Sequence, residues 1–158
     1  MYSHILSPVD GSAASESGMR EAIGLAKEQH AALRFLHVLE LHPPPSGYGG
    51  GLVAGNAGEL LRVRGAEILA AARDAARKQG VSAEAVMTES AEGRIAELVL
   101  HEAARWPADL IVIGTHGCRG ASELFLGSDA EAIARLARAS VLLVRAAPGL
   151  STSVSPPV

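Results

Sequence analysis

Apolar and polar positions follow two rhythms along this chain. Five short runs rich in apolar and β-branched residues read as strands: HILSPVD (4–10), LRFLHVL (33–39), AEAVMT (83–88), DLIVIG (109–114) and SVLLVR (140–145). Between them the period lengthens to that of a helix. Met19, Ala22, Ile23 and Ala26 stand at i, i+3, i+4 and i+7, which puts them on one face. Similar stripes recur in Leu61, Ile68, Ala72 and Ala75, in Ile95, Leu98 and Val99, and in Ile133, Leu136 and Ala137. Trp106-Pro107 closes the third helix, because proline disfavours a helical residue before it and cannot continue the ladder. Strands and helices alternating in this way predict an α/β three-layer sandwich, a parallel sheet with helices on both faces.

Two segments fall outside the alternation. HPPPSGYGGGLVAGNAG (42–58) predicts a connection of a length uncommon in compact domains unless it covers a site, and a lid is the role expected of it. The end of the chain, GLSTSVSPPV, has no apolar periodicity, so residues 148–158 are expected to form a flexible tail behind one domain of residues 1–147.

Composition narrows the classes. At 158 residues the chain suits a single core that buries roughly 70% of the unfolded surface. A net charge of −3 leaves no electrostatic footprint for nucleic acid or anionic membrane, and only 3% of residues are aromatic, too few for base-stacking platforms. No apolar run approaches the ~18 residues of a membrane span, and the start of the chain lacks a signal-peptide pattern, so a cytoplasmic protein is expected. One cysteine, Cys118, allows no internal disulfide and no zinc site unaided, and the histidines form no recognisable metal set. No catalytic and no metal-binding residue is assigned.

The stretch IGTHGCRGASELFLGSDAEAIAR (113–135) holds four glycines and then becomes an apolar helix pattern. Glycines between a strand and a helix let a ligand approach main-chain amides, and the positive end of the helix favours a phosphate. Neither the dinucleotide fingerprint nor the P-loop is present. Capping is the competing explanation: Asp10 and Ser12 are both helix-capping types, and Ser128-Asp129-Ala130-Glu131 has the form of a capping box. His116 lies between two loop glycines and Arg119 adds a guanidinium, so each is a candidate phosphate contact.

The spacing Gly114, Gly117, Gly127-Ser128 resembles the G-x2-G-x9-G-S/T nucleotide loop of the universal stress protein family. The likeness extends from SPVDGS through LHVLE and ADLIVIGTHG to LGSDAEAI and SVLLVR. It implies a five-stranded parallel sheet of order 3-2-1-4-5, Rossmann-like and similar to the adenine nucleotide α hydrolases. Ligands of such sheets sit where the winding reverses, here between strands one and four. The resemblance further implies ATP, with or without Mg²⁺, as ligand. Pro8, Val9 and Val38 would lie near adenine, Asp10 near base or ribose, and Ile113 beside the base. Gly114, Gly117, Gly127, Ser128 and the amide of Asp129 would hold ribose and phosphates. The Asp129 carboxylate is a departure, since many nucleotide-binding relatives carry an apolar residue there.

A homodimer paired through Val141, Leu142, Leu143 and Val144 is also implied, although Ser140 stands where relatives commonly have proline. Three functions follow from these readings. The first is an ATP-binding stress-response module acting through a protein partner that the sequence does not identify. The second is an interaction protein of the same fold with an empty loop. The third is a slow ATPase.

Overall fold

The structure, a computed structural model, describes residues 1–41, 53–90, 94–115 and 126–146, with the backbone alone for 53–56. Among the described residues nine elements alternate: β1 (His4–Pro8), α1 (Ala13–Gln29), β2 (Ala32–Glu40), α2 (Val53–Lys78), β3 (Ala83–Ser90), α3 (Ile95–Arg105), β4 (Leu110–Gly114), α4 (Ser128–Leu136) and β5 (Ser140–Val144). All strand pairs are parallel and the order is β3-β2-β1-β4-β5, as the family resemblance implies.

Strand side chains alternate between the two faces, and both faces are covered. Ile5, Leu33, Phe35, Leu110 and Val112 pack with Ala22, Ile23 and Ala26 of α1 and with Leu69, Ala72 and Ala76 of α2. Leu6, Leu36 and Ile111 pack on the other side with Ala96, Val99 and Ala103 of α3 and Ile133 of α4. Local chemistry starts and stops the helices. Ser12, in extended conformation, caps α1 by accepting the Ser15 amide at 3.2 Å, and His30 ends it with φ 54°, its amide bonded to the Ala26 carbonyl.

Four expectations need correction. Residues 53–58 are helix, not connection, so α2 starts inside the glycine-rich stretch; residues 42–52, which hold the rest of the expected lid, lie outside the described residues, as does the tail 148–158. Strand β1 ends at Pro8, two residues earlier than expected, because the chain turns at Gly11, whose φ is 81°. The fully buried stripe of α2 is Gly65, Leu69, Ala72 and Ala76; of the expected positions Ala72 is buried, Ile68 and Ala75 are partly buried against the core, and Leu61 is 41% exposed. Leu136 is 66% exposed, not on the buried face of α4.

The end of the sheet away from the strands' carboxyl termini is pinned by charge. The Asp109 carboxylate accepts the amides of Ser3 at 2.8 Å and His4 at 2.9 Å, joining the start of β1 to the start of β4. Arg34 on β2 bonds Glu84 of β3 and the buried Glu102 of α3, and its guanidinium lies 4.5 Å from the centre of the Trp106 ring. The His4 ring meets the same indole edge-on at 5.1 Å.

Burial raises the pKa of Asp109, but the amides of His4 and Ser3 outweigh it and hold the carboxyl below its usual 3.8. A folded pKa below the unfolded one contributes stability above the unfolded pKa, and that stability disappears as pH falls through the folded value. Asp109→Asn is therefore expected to lower the melting temperature at pH 7, with the gap to the parent closing as pH falls below about 4. Thermal unfolding of both proteins from pH 7 to pH 3 checks this; a gap of constant size would show that the carboxylate's charge contributes nothing.

Candidate functional site

The winding reverses at β1, since β2 lies on one side of it and β4 on the other, and a crevice opens at the carboxyl ends of these three strands. A cavity of about 700 Å³ occupies it, within the range of small-molecule sites. Its floor comes from the ends of β1 (Pro8, Val9, Asp10), β2 (Leu36 to Glu40) and β4 (Ile113, Gly114, Thr115). Leu61, Arg64 and Ile68 of α2 wall one side. Ile95 of α3 and Gly127, Ser128, Asp129 and Ala130 at the start of α4 wall the other.

Nine of the residues selected from sequence thus line one cavity: Pro8, Val9, Asp10, Val38, Ile113, Gly114, Gly127, Ser128 and Asp129. His116, Gly117 and Arg119 lie outside the described residues. Sequence reasoning missed Ser15, His37, Glu40, Arg64 and Thr115 as lining. Arg64 carried a readable signal, because it stands three residues after Leu61 and four before Ile68 on the same helix face.

The β1–α1 turn is locked by short polar side chains. Asp10 Oδ1 accepts the Ser12 amide at 2.9 Å, while the Asp10 amide donates to Ser15 Oγ at 3.0 Å. Asp10 therefore shapes the turn as well as lining the cavity. His37, 8% exposed, adds a tie from β2: its Nδ1 lies 2.7 Å from the Val9 carbonyl oxygen, which only accepts, so Nδ1 carries the proton.

The two ends of the glycine-rich connection are also fixed. The Thr115 amide donates to Val144 of β5, and its carbonyl accepts the Gly127 amide, both at 2.8 Å. Gly127 is the N-cap of α4, with φ −60° and ψ 146°, angles open to any residue. The capping box expected at Ser128 does not form; Ser128 is already helical, and no side chain caps the helix. With a glycine in the capping position, the cap residue brings no side chain of its own to the helix start beside the cavity, and the positive helix end favours an anion there.

Gly114 has a packing reason for lacking a side chain. A Cβ there would lie 2.5 Å from the carbonyl carbon of Ala14 and 2.6 Å from its oxygen, because the first turn of α1 rests on the end of β4. Gly18, one turn on, approaches the same place: its Cβ would lie 3.1 Å from the Gly114 amide nitrogen.

Among the described residues no group of three His, Cys, Asp or Glu is placed to hold a metal ion, and no helix is long and apolar enough to cross a membrane.

A doubly wound parallel sheet with a ligand-sized crevice at its reversal point defines the class: an α/β protein whose site is built from strand ends and a helix start. The profile of the universal stress protein family matches residues 1–145, and the chain belongs to that family. The universal stress protein MJ0531 of Methanocaldococcus jannaschii is 34% identical over 148 residues, covering 92% of this chain and 83% of the relative. A crystal structure of a family protein from Burkholderia pseudomallei superposes with a TM-score of 0.70 at 30% identity, over 90% of this chain and 96% of that one. Two more distant structures share the fold: a universal stress protein in complex with cAMP (TM-score 0.65, 24% identity, 92% and 99% coverage) and one from Arabidopsis thaliana with AMP bound (0.68, 15%, 92% and 93%).

The contact at Gly114 predicts that Gly114→Ala destabilises the fold by at least about 2 kcal/mol, since both colliding atoms are backbone and cannot rotate away. Urea unfolding measures it; an unchanged midpoint would mean that α1 does not rest on β4 as described.

Proposed function

We propose that this chain is a cytoplasmic adenine-nucleotide-binding module of the stress response, holding ATP or AMP in the crevice and acting through a protein partner more than through turnover. One observation carries the reading: nine residues chosen from sequence for a nucleotide site line a single cavity at the reversal point of the sheet. Family structures with cAMP and with AMP support the ligand class. The apolar lining on the side of β1, β2 and α2 suits a base, and the glycine-capped start of α4, with its positive helix end, suits phosphate. Among the described residues turnover has no placed proton carrier in this reading: Nδ1 of His37 is tied to the Val9 carbonyl, and its Nε2 lies against the α2 backbone at Gly65.

Carboxylates favour a second reading, an interaction protein whose crevice holds no nucleotide. Asp10, Glu40 and Asp129 all line the cavity, against Arg64 as the one arginine or lysine among the described lining residues. A carboxylate about 6 Å from a phosphate charge costs on the order of 2–3 kcal/mol at an effective dielectric near 20.

Calorimetry on three proteins separates the readings. The parent is expected to bind ATP or AMP, Gly127→Val to lose them, and Asp129→Val to bind them at least about tenfold more tightly. At the extended angles of Gly127 a valine adds volume without backbone strain, but it is a poorer N-cap, so Gly127→Val is expected to unfold cooperatively with a loss of about 1 kcal/mol, well short of unfolding the protein. Equal affinity in all three proteins places the ligand elsewhere. No binding even by Asp129→Val supports the second reading.

The module is a homodimer in this proposal, joined along β5 through Val141, Leu142, Leu143 and Val144. Support comes from the position of β5 at the edge of the sheet, with Leu143 36% exposed. Leu143→Asp is expected to yield monomers in sedimentation or solution scattering at micromolar concentration, and a surviving dimer would exclude this edge.

A further inference from the structure

Helix α2 is set over the crevice by two close contacts and one tether. A Cβ on Gly65 would lie 2.7 Å from Cδ2 of His37, so the helix backbone rests on that ring at the end of β2. Ile68 Cδ1 lies 3.2 Å from where a Cβ on Gly11 would be, which seats the next turn over the β1–α1 connection. Arg62 donates to Glu89 of β3 at 2.7 Å, a bond that holds the Glu89 carboxyl below its usual range. These contacts place Arg64 over the ends of β1 and β2. The start of α4 belongs to the β4 side, one to two strand spacings or about 5–10 Å away.

Arg64 differs from its neighbour. Arg62 is paired with Glu89, whereas Arg64 makes no hydrogen bond or ion pair in the described structure and is exposed while lining the cavity. The described lining contains no Phe, Tyr or Trp. A flat base entering the apolar side therefore meets two planar groups, and the His37 ring is already covered by α2. The Arg64 guanidinium is the other, and guanidinium planes stack on π systems, as Arg34 does here on Trp106.

We infer that Arg64 is the base-covering residue of the crevice, stacking its guanidinium on the purine face and setting the site's preference for a base over a bare sugar phosphate. The inference rests on the adenine-nucleotide reading above. The phosphates then lie at the start of α4, on the wall of the crevice opposite α2.

Calorimetry with adenosine, AMP, ATP and ribose 5-phosphate tests it on the parent, Arg64→Ala and Arg64→Lys. Arg64→Ala is expected to weaken adenosine, AMP and ATP by the same factor, about three- to fivefold, and to leave ribose 5-phosphate unchanged. Arg64→Lys is expected to recover only part of the loss, since an ammonium lacks the plane. A loss that grows with phosphate number and shrinks in high salt would make Arg64 a phosphate ligand and overturn the inference. Unchanged affinities for all three adenine compounds would overturn it too. If the parent binds none of them, the adenine-nucleotide reading fails and the inference with it. Arg64 is exposed and unpaired, so both variants are expected to unfold at the parent's temperature.

Discussion

The first turn of α1 rests directly on the last residue of β4, and the geometry of the crevice follows from that contact. With no side chain at Gly114, helix and strand backbones approach to a distance that a Cβ there would prevent, and a Cβ at Gly18 would be tight as well. The β1–α1 turn is thereby held close to the end of β4, so residues more than a hundred positions apart in sequence share one wall. Asp10, Ser12 and Ser15 then lock the turn, and His37 fastens Val9 from the β2 side. What binds in the crevice meets a floor in which backbone packs directly on backbone.

The opposite end of the sheet is organised differently. There the ties are charged: Asp109 across β1 and β4, and Arg34 across β2, β3 and α3 with Trp106 beneath it. With the Asp109 and Arg34 ties at one end, close glycine packing at β4 and the Arg62–Glu89 pair out at the end of β3, the crevice at the carboxyl ends of β1, β2 and β4 is left open to a ligand. The division matches the general behaviour of open parallel sheets, in which stability and chemistry occupy opposite rims.

Much of this was legible in the chain. Short apolar, β-branched runs and period-3.6 stripes marked every element, because a sheet covered on both faces demands apolar strands and amphipathic helices together. The strand order was legible only through the family resemblance. The start of α2 was hidden by composition, since Gly55 and Gly58 read as loop while lying in its first turns. Capping at Ser128 failed because spacing alone does not say which residue stands outside the helix; the chain bends at Gly127, one residue earlier. Gly114 was read as a ligand residue, and its packing role could not be seen without the helix that lies on it. Arg64 shares a face with Leu61 and Ile68, yet an arginine in an amphipathic helix ordinarily reads as solvent-facing.

The strand order also has a consequence during synthesis. Strands β1, β2 and β3 are neighbours in space and come first in the chain, so that half of the sheet can assemble as it is made. Strand β1 is the middle strand of the finished sheet, and its second edge stays open until β4, about a hundred residues later, has been made. Ile5 and Leu6, wholly buried at the end, belong to that open edge for the whole interval. A nascent chain stalled after β3 would therefore present an apolar strand edge, the kind of surface that chaperones cover and other chains pair with.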